Sequence, residues 1–374
     1  MDILLNKCGA FYETYDDSAE RLSGAMSIKL FFRGVSERPV AGFPVASLDR
    51  YLDELEDQGL KVFVIDNADQ QPWSRTQRVA DSKERLNRYQ LVFSAFEKFH
   101  AEIGSIEDKL QKLRPRLIDL RREYASPSVR PTYEGAFAWA YLLAYVPPYA
   151  FLTEHVLRKI DFFEEFTSGN LEISIVGVGP GPEMVAVQQI FSERSGSESM
   201  LSFHLYDTNH SAWSEVRSAL SHVAADFFGI HKQQHIAVHL DFNQPIDQQD
   251  LHRWFGGTKY LIFQNVLNEI TNHEIAVHNF REIWEVLGEG SRILIVDQNV
   301  NAYQETTLLW NRIKTFVESH GSGEVTELRE ETIRFTDEVP PSLAKHFFGV
   351  PADYLWDRRK IKFGVLMFQK GATS

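Results

Sequence analysis

The chain has 374 residues, 43 % of them hydrophobic, 24 % charged and 13 % aromatic, a globular balance that excludes long disorder, collagen-like repeats and low-complexity tracts. Asp and Glu outnumber Lys and Arg by 52 to 39, so at a net charge of −13 any nucleic-acid contact must be local. A single cysteine, Cys8, excludes an internal disulfide framework and any cysteine-based zinc or iron–sulfur site, which fits a reducing compartment.

The length suits two or three domains, and the charge divides the chain into three parts. Residues 1–70 carry a net −6, residues 71–130 a net +5 and residues 131–374 a net −12. The first part reads as a small α/β domain. Asp49–Gln58 is an amphipathic helix capped by Ser47 and closed by Gly59, Leu60–Ile65 is a buried strand, and Gly and Pro between Arg33 and Pro44 mark loops.

Residues 71–130 read as a helical connector. Apolar residues recur in steps of 3 and 4 from Tyr89 through Val92, Phe96, Phe99, Ile103, Ile106, Leu110, Leu113, Leu117 and Leu120 to Tyr124. Such a seam wants a partner: either two helices packed on a neighbouring domain or a coiled coil that joins a homodimer. Gly104 followed by Ser105-x-x-Asp108 predicts a helix restart, and Pro115 a kink or a start. Lys112, Arg114, Arg116, Arg121, Arg122 and Arg130 form a basic cluster, either a solvated face or a phosphate-binding one.

The last part, with leading helices over 131–168, alternates strands and helices. The strands are Ile173–Val178, Leu201–Asp207, His235–Leu240, Tyr260–Asn265 and Arg292–Asp297. Glu183–Glu193, Ser211–Phe228 and Glu274–Leu287 are helices. This is an α/β pattern of a doubly wound, mostly parallel sheet, with Glu324–Phe335 and Lys360–Gln369 as an antiparallel pair at one edge. The longest apolar stretch, Ala136–Leu152, is interrupted by Pro147 and Pro148 and falls short of the roughly 20 residues of a spanning helix. Met1–Gly9 is too short and polar for a signal peptide, so the chain reads as soluble and cytoplasmic, without a membrane partner.

Chemistry concentrates at strand ends. Gly177-Val178-Gly179-Pro180-Gly181-Pro182 closes one strand and opens a helix. The G-x-G-x-G spacing departs from the dinucleotide G-x-G-x-x-G, and the prolines remove N–H groups a pyrophosphate would use. Asp207 ends the second strand, where an acid can accept both hydroxyls of a ribose. Asp241, after the third, can accept from an adenine amine. Gln264, Asn265 and Glu269, after the fourth, either orient an acceptor and take a proton or cap the next helix, and Asp297 faces the same choice. Pro147-Pro148-Tyr149 reads as a helix break. His204 and His239 read as core residues, and the histidines show no metal-ligand spacing.

This series, over about Leu171 to Lys370, resembles the class I S-adenosylmethionine-dependent methyltransferases, including the added antiparallel strands. The resemblance implies a Rossmann-like fold in which Gly177, Gly179 and Gly181 line the amino-acid end of S-adenosylmethionine. Asp207 would hold the ribose, and Asp241 with Phe242 would flank the adenine. The acid that the family often carries two residues before the first glycine is Ile175 here. The Asn/Asp-Pro-Pro-aromatic motif of base-amine methylases is absent from the fourth strand end.

A second resemblance lies over about Met1–Asp69. Lys7-Cys8-Gly9-Ala10-Phe11-Tyr12-Glu13, Gly42-Phe43-Pro44, Arg50-Tyr51-Leu52 and Gly59-Leu60-Lys61-Val62 follow the order of the N-terminal mismatch-recognition domain of the MutS family. It implies that Phe11 stacks on a base and Glu13 hydrogen-bonds it; the same fold used for protein contact is the alternative. No G-x-x-x-x-G-K-[ST] ATPase loop occurs. Together these features predict a methyltransferase with a recognition domain for nucleic acid or protein. The rival is a non-catalytic assembly module acting through its connector.

Overall fold

The computed structural model describes residues 2–8, 11–15, 17–26, 28–33, 38–44, 47–57, 61–65, 73–74, 86–100, 105–124, 133, 135–298, 304–320, 323–349 and 360–371. They fall into two compact units, Met1–Leu86 and Asn87–Ser374.

The first unit is a mixed six-stranded sheet with two helices. Strands β1 (Asp2–Cys8), β2 (Phe11–Tyr15), β3 (Phe31–Arg33), β4 (Arg38–Pro44), β5 (Lys61–Ile65) and β6 (Trp73–Ser74) lie in the order β3-β4-β2-β1-β5-β6. Only β1 and β5 run parallel. Helices α1 (Asp17–Met26) and α2 (Leu48–Asp57) bury Ala19, Leu22, Leu52 and Leu55 with Ile3, Leu5, Phe43 and Val62. Phe43 stacks on Tyr51 at 4.3 Å between centroids, which ties the Gly42-Phe43-Pro44 strand to the helix.

The second unit opens with α3 (Arg88–His100), α4 (Ile106–Tyr124) and α5 (Ala136–Lys159). Then strands and helices alternate: β7 (Leu171–Val176), α6 (Pro182–Arg194), β8 (Leu201–Asp207), α7 (His210–Phe228), β9 (Gln233–His239), α8 (Gln248–Phe255), β10 (Tyr260–Gln264), α9 (His273–Val286), β11 (Arg292–Gln298), α10 (Gln304–His320), β12 (Gly323–Arg334) and β13 (Lys360–Lys370). The sheet order is β12-β13-β11-β10-β7-β8-β9, with β7 to β11 parallel and β13 inserted antiparallel between β11 and β12.

Why the central strands read as continuous apolar runs is now physical. Ile173, Ile175, Ile262, Leu294 and Val296 face one core with α5 and α6. Val176, Leu261, Phe263, Ile293 and Ile295 face the other with α8, α9 and α10. A sheet covered on both faces needs apolar residues at every position.

The connector seam is satisfied inside the second unit. Helix α3 packs on α5 and α7, and α4 packs on α5 and on a π-helical turn at Leu343–Phe348. Leu91, Val92, Phe96, Leu110, Leu113, Leu117 and Leu120 are buried there, while Phe99 is exposed. Of the two partners the seam left open, the neighbouring domain is the one present. The restart is seen as Ser105 Oγ accepting from the Asp108 N–H at 3.4 Å; Gly104 lies outside the described residues.

Two expectations are corrected. Pro115 sits inside α4 and neither kinks nor starts a helix. The carbonyl it leaves unpaired belongs to Gln111, which is exposed and open to water, while leucines on both sides hold the helix down. Pro147 and Pro148 likewise lie within α5 instead of breaking it. A helix-interior proline costs about 3 kcal/mol, and each buried Leu or Val returns roughly 1.5–3. Leu142, Leu143, Val146, Ala150 and Leu152 are all buried around the pair. Among the described residues no helix is long and apolar enough to cross a membrane.

Candidate functional site

The carboxyl ends of β7, β8, β9, β10 and β11 converge on one edge, where parallel α/β sheets bind ligands. Gly177, Gly179 and Gly181 have φ of +70°, +49° and +91°, a left-handed series that only glycine adopts cheaply. The turn is closed on two sides. A β-carbon on Gly177 would meet Val266 Cγ2 at 2.3 Å, and one on Gly181 would meet Met184 Sδ at 2.8 Å. At Gly179 it would meet only the Trp213 ring, at 3.8 Å, so the main chain there is open to a ligand.

Asp207 reaches into this turn. Its Oδ2 accepts from the Gly179 N–H at 2.9 Å and its Oδ1 from the Asn209 N–H at 2.6 Å. Burial pushes its carboxyl up, against the pull of those two N–H groups and of Arg217 and His210. The buried Arg217 donates to the carbonyls of Gly179 at 3.1 Å and His210 at 3.2 Å. The Gly179 residue is therefore held on its N–H by Asp207 and on its C=O by Arg217. Sequence reasoning missed Arg217, which has no motif signal.

Glu183, two residues past the last glycine, was also missed. It is 2 % exposed, its Oε2 has no hydrogen-bond partner, and burial, with Asp207 nearby, raises its carboxyl well above the usual range. Its sequence signal is an acid in the first turn of an otherwise apolar helix.

Asp241 follows β9 and is half-buried; its Oδ1 accepts from Asn243 N–H at 2.9 Å and Asn243 Nδ2 at 3.1 Å. Phe242 is in the core, packed edge-on to Phe263 at 5.6 Å. His204 is half-buried against Glu172 at 3.2 Å, and His239 is exposed, not a core residue: it lies on the sheet's edge strand.

At the end of β10, Gln264 is buried and turned to α5, bonded to Thr153 Oγ1 and donating to the Tyr149 carbonyl at 3.3 Å. Asn265 follows with φ +54° and a buried Oδ1 lacking a partner. Glu269, on a short 3-10 turn at Leu267–Glu269, is exposed. Across from Asn265, Asp297 is fully buried. Its Oδ2 accepts from the Leu267 N–H at 3.0 Å and its Oδ1 has no partner. Burial, with Glu269 adding to it, pushes its carboxyl up to about 7. One wall is aromatic: Trp213, Tyr141 and Tyr145 follow one another at 5.2 and 4.9 Å between centroids, and Tyr149 lies 6.1 Å beyond Tyr145.

In the first unit, Glu13 is buried in β2, paired with Asn6 and Gly42; the Phe11 side chain lies outside the described residues. In α4, Arg116 and Arg122 both pair with Asp119, at 3.6 and 3.8 Å, and Arg116 also covers Phe137. Arg114 lies on Gly349, and Arg121 remains half-buried; Arg130 is outside the described residues.

Numbered along the chain, the sheet of the second unit runs 3-2-1-4-5-7-6 with the seventh strand antiparallel. That is the class I methyltransferase fold, with a glycine turn and acids at the strand ends where a nucleoside cofactor sits. Comparison with known proteins adds a second finding, at the other end of the chain. Residues 2–90 match the model of MutS domain I. The chain is 43 % identical over 67 residues to the DNA mismatch repair protein MutS of Cytophaga hutchinsonii, which is 17 % of this chain and 8 % of that protein. With MutS of Chlorobaculum tepidum it shares 40 % over 70 residues, 18 % and 8 % of the two chains. The chain thus spans under a tenth of the relatives it matches. Among solved structures, it aligns with an rRNA methylase from Streptococcus thermophilus over 58 % of this chain and 96 % of that one, at 11 % identity and a TM-score of 0.33. With the plantazolicin methyltransferase BpumL the alignment covers 71 % and 100 %, at 11 % identity and a TM-score of 0.38.

Proposed function

We propose that the chain is an S-adenosylmethionine-dependent methyltransferase whose MutS-domain-I-like unit recruits its substrate, a nucleic acid or a protein. The observation that carries this reading is the Asp207–Gly179 contact: the acid at the end of the second strand and the open glycine of the first are hydrogen-bonded to each other. The residues fit the cofactor. Gly179 offers bare main chain, Asp207 has lone pairs left for ribose hydroxyls, and Asp241 stands at the third strand end for the adenine amine. Glu183 offers an unpartnered carboxylate oxygen for the cationic amino-acid end, taking the part Ile175 cannot.

The cofactor supplies an electrophilic methyl group, and the protein positions the acceptor in line with it and receives a proton. Calorimetric titration of the full chain with S-adenosylmethionine is the test. Micromolar binding is expected, and no binding at millimolar ligand would remove the reading.

For the first unit, a mobility shift with mismatched and matched duplexes at low and high salt separates the two recruitment modes. Binding that favours the mismatch and weakens in Phe11→Ala supports nucleic-acid recruitment. A shift with neither duplex leaves protein recruitment. The non-catalytic reading has one observation in its favour, since both Asp207 oxygens already serve the turn. It requires that Asp207→Ala spare the biological activity.

A further inference from the structure

Asn265 and Asp297 stand side by side. Gln264 pairs with Val296 in the parallel register of β10 and β11, and the Asn265 N–H donates to the Val296 carbonyl at 2.9 Å. The next residue on each strand is therefore one strand spacing from the other, about 4.8 Å. Each ends in a buried oxygen, Asn265 Oδ1 and Asp297 Oδ1, with no hydrogen-bond partner. An unmet buried acceptor costs about 1–3 kcal/mol, and two on neighbouring strand ends mark a place built for two donors. Asn265 is also held at φ +54°, a strained conformation for a residue with a β-carbon. The tyrosine row of α5 runs from Trp213, over Gly179, to Tyr149, which feels both Asp297 and Glu269.

We infer that Asn265 and Asp297 form the acceptor subsite and that the methylated group is a neutral NH2 borne on a flat ring, such as the exocyclic amine of a nucleobase. This rests on the methyltransferase reading above. Two N–H donors satisfy the two orphaned oxygens, while a hydroxyl satisfies one and a carbonyl neither. A flat ring stacks on the tyrosines. A guanidinium is disfavoured because it carries a full charge to a position where Asp297 is wholly buried. The balance is complete: the N–CH3 bond forms as the CH3–S bond of the sulfonium donor breaks. The sulfur leaves as a neutral thioether, and the extra proton on nitrogen goes to the Asp297 carboxylate.

The test is ligand-observed NMR on the full chain saturated with S-adenosylhomocysteine, which also fills the cofactor's own adenine site. The probes are 1-methylcytosine and 1-methyluracil, in which a carbonyl replaces the amine. A preference of about tenfold for the cytosine is expected. Asn265→Gly, which keeps the left-handed backbone without the carboxamide, should abolish that preference while leaving the fold intact. Equal binding of both probes, retention of the preference in Asn265→Gly, or binding of neither to the homocysteine-loaded protein overturns the inference. Tighter binding of an arginine-bearing peptide than of either probe overturns it in favour of a guanidinium. Failure of S-adenosylhomocysteine itself to bind counts against the cofactor reading, a separate result.

Discussion

Asp207 Oδ2 and the Gly179 N–H are 2.9 Å apart, so the acid that ends one strand fixes the middle glycine of the turn that ends its neighbour. The same carboxylate is assigned to the ribose, which makes one residue responsible both for shaping the turn and for holding the ligand. Replacing it should therefore cost twice. Asp207→Ala is expected to weaken S-adenosylmethionine binding at least about 30-fold, since a hydrogen bond to a charged group contributes roughly 1.5–3 kcal/mol. Asp207→Asn, which can still accept from Gly179, should lose less. Calorimetry on both variants checks the order, and equal losses would count against the dual role.

The glycines of the turn should not be interchangeable. Gly177 and Gly179 both have positive φ, but a β-carbon on Gly177 meets Val266 at 2.3 Å while on Gly179 it meets nothing nearer than 3.8 Å. Gly179→Ala carries the backbone strain alone, about 1 kcal/mol. Gly177→Ala adds an overpacking term, about 1–3 kcal/mol more. Urea unfolding of the two variants should rank them in that order. Gly179→Ala is nonetheless expected to be the more damaging to cofactor binding per unit of stability lost.

Asp297 predicts a pH dependence of stability. Its folded carboxyl titrates at about 7, above the ordinary 3.8, so the folded state favours the protonated form. The group's contribution to stability is fully present below about pH 4 and is lost as pH rises through 7. The span corresponds to on the order of 4 kcal/mol. Asp297→Asn should remove that slope. Chemical denaturation at pH 5 and pH 8 should show the variant gaining on the wild-type chain at the higher pH. A pH-independent difference would show that the carboxyl is not held protonated.

Leu117 tests how the connector seam is used. It is 1 % exposed within the second unit. Leu117→Ala should lower the stability of that unit by about 2–5 kcal/mol, as core leucine truncations do. The unfolding midpoint should fall without dependence on protein concentration. A midpoint that shifts with concentration would indicate that the seam joins two copies.

The α/β class, the strand–helix alternation and the positions of Gly177, Gly179, Gly181 and Asp207 were legible because they depend on local rules. Turns need glycine where φ is positive, and strands buried on both faces need unbroken apolar runs. Boundaries read from those rules fell within two residues of the observed strands, as with Tyr260–Gln264. The prolines of α4 and α5 were misjudged because a local penalty of about 3 kcal/mol was set against nothing, whereas packing of the surrounding leucines outweighs it.

What the amino-acid order determined by itself is the fold, the glycine turn and the acid that serves it. Tertiary structure alone decided which polar residues matter at the site. Arg217 and Glu183 sit on helices with no motif around them, and they gain meaning only when the sheet brings them to the turn and burial removes water from them. Gln264 and Asn265 are adjacent in sequence and chemically alike, yet one is tied to Thr153 and Tyr149 while the other is left with an unpaired oxygen beside Asp297. That distinction comes from desolvation and strand register, both of which are long-range properties of the folded chain.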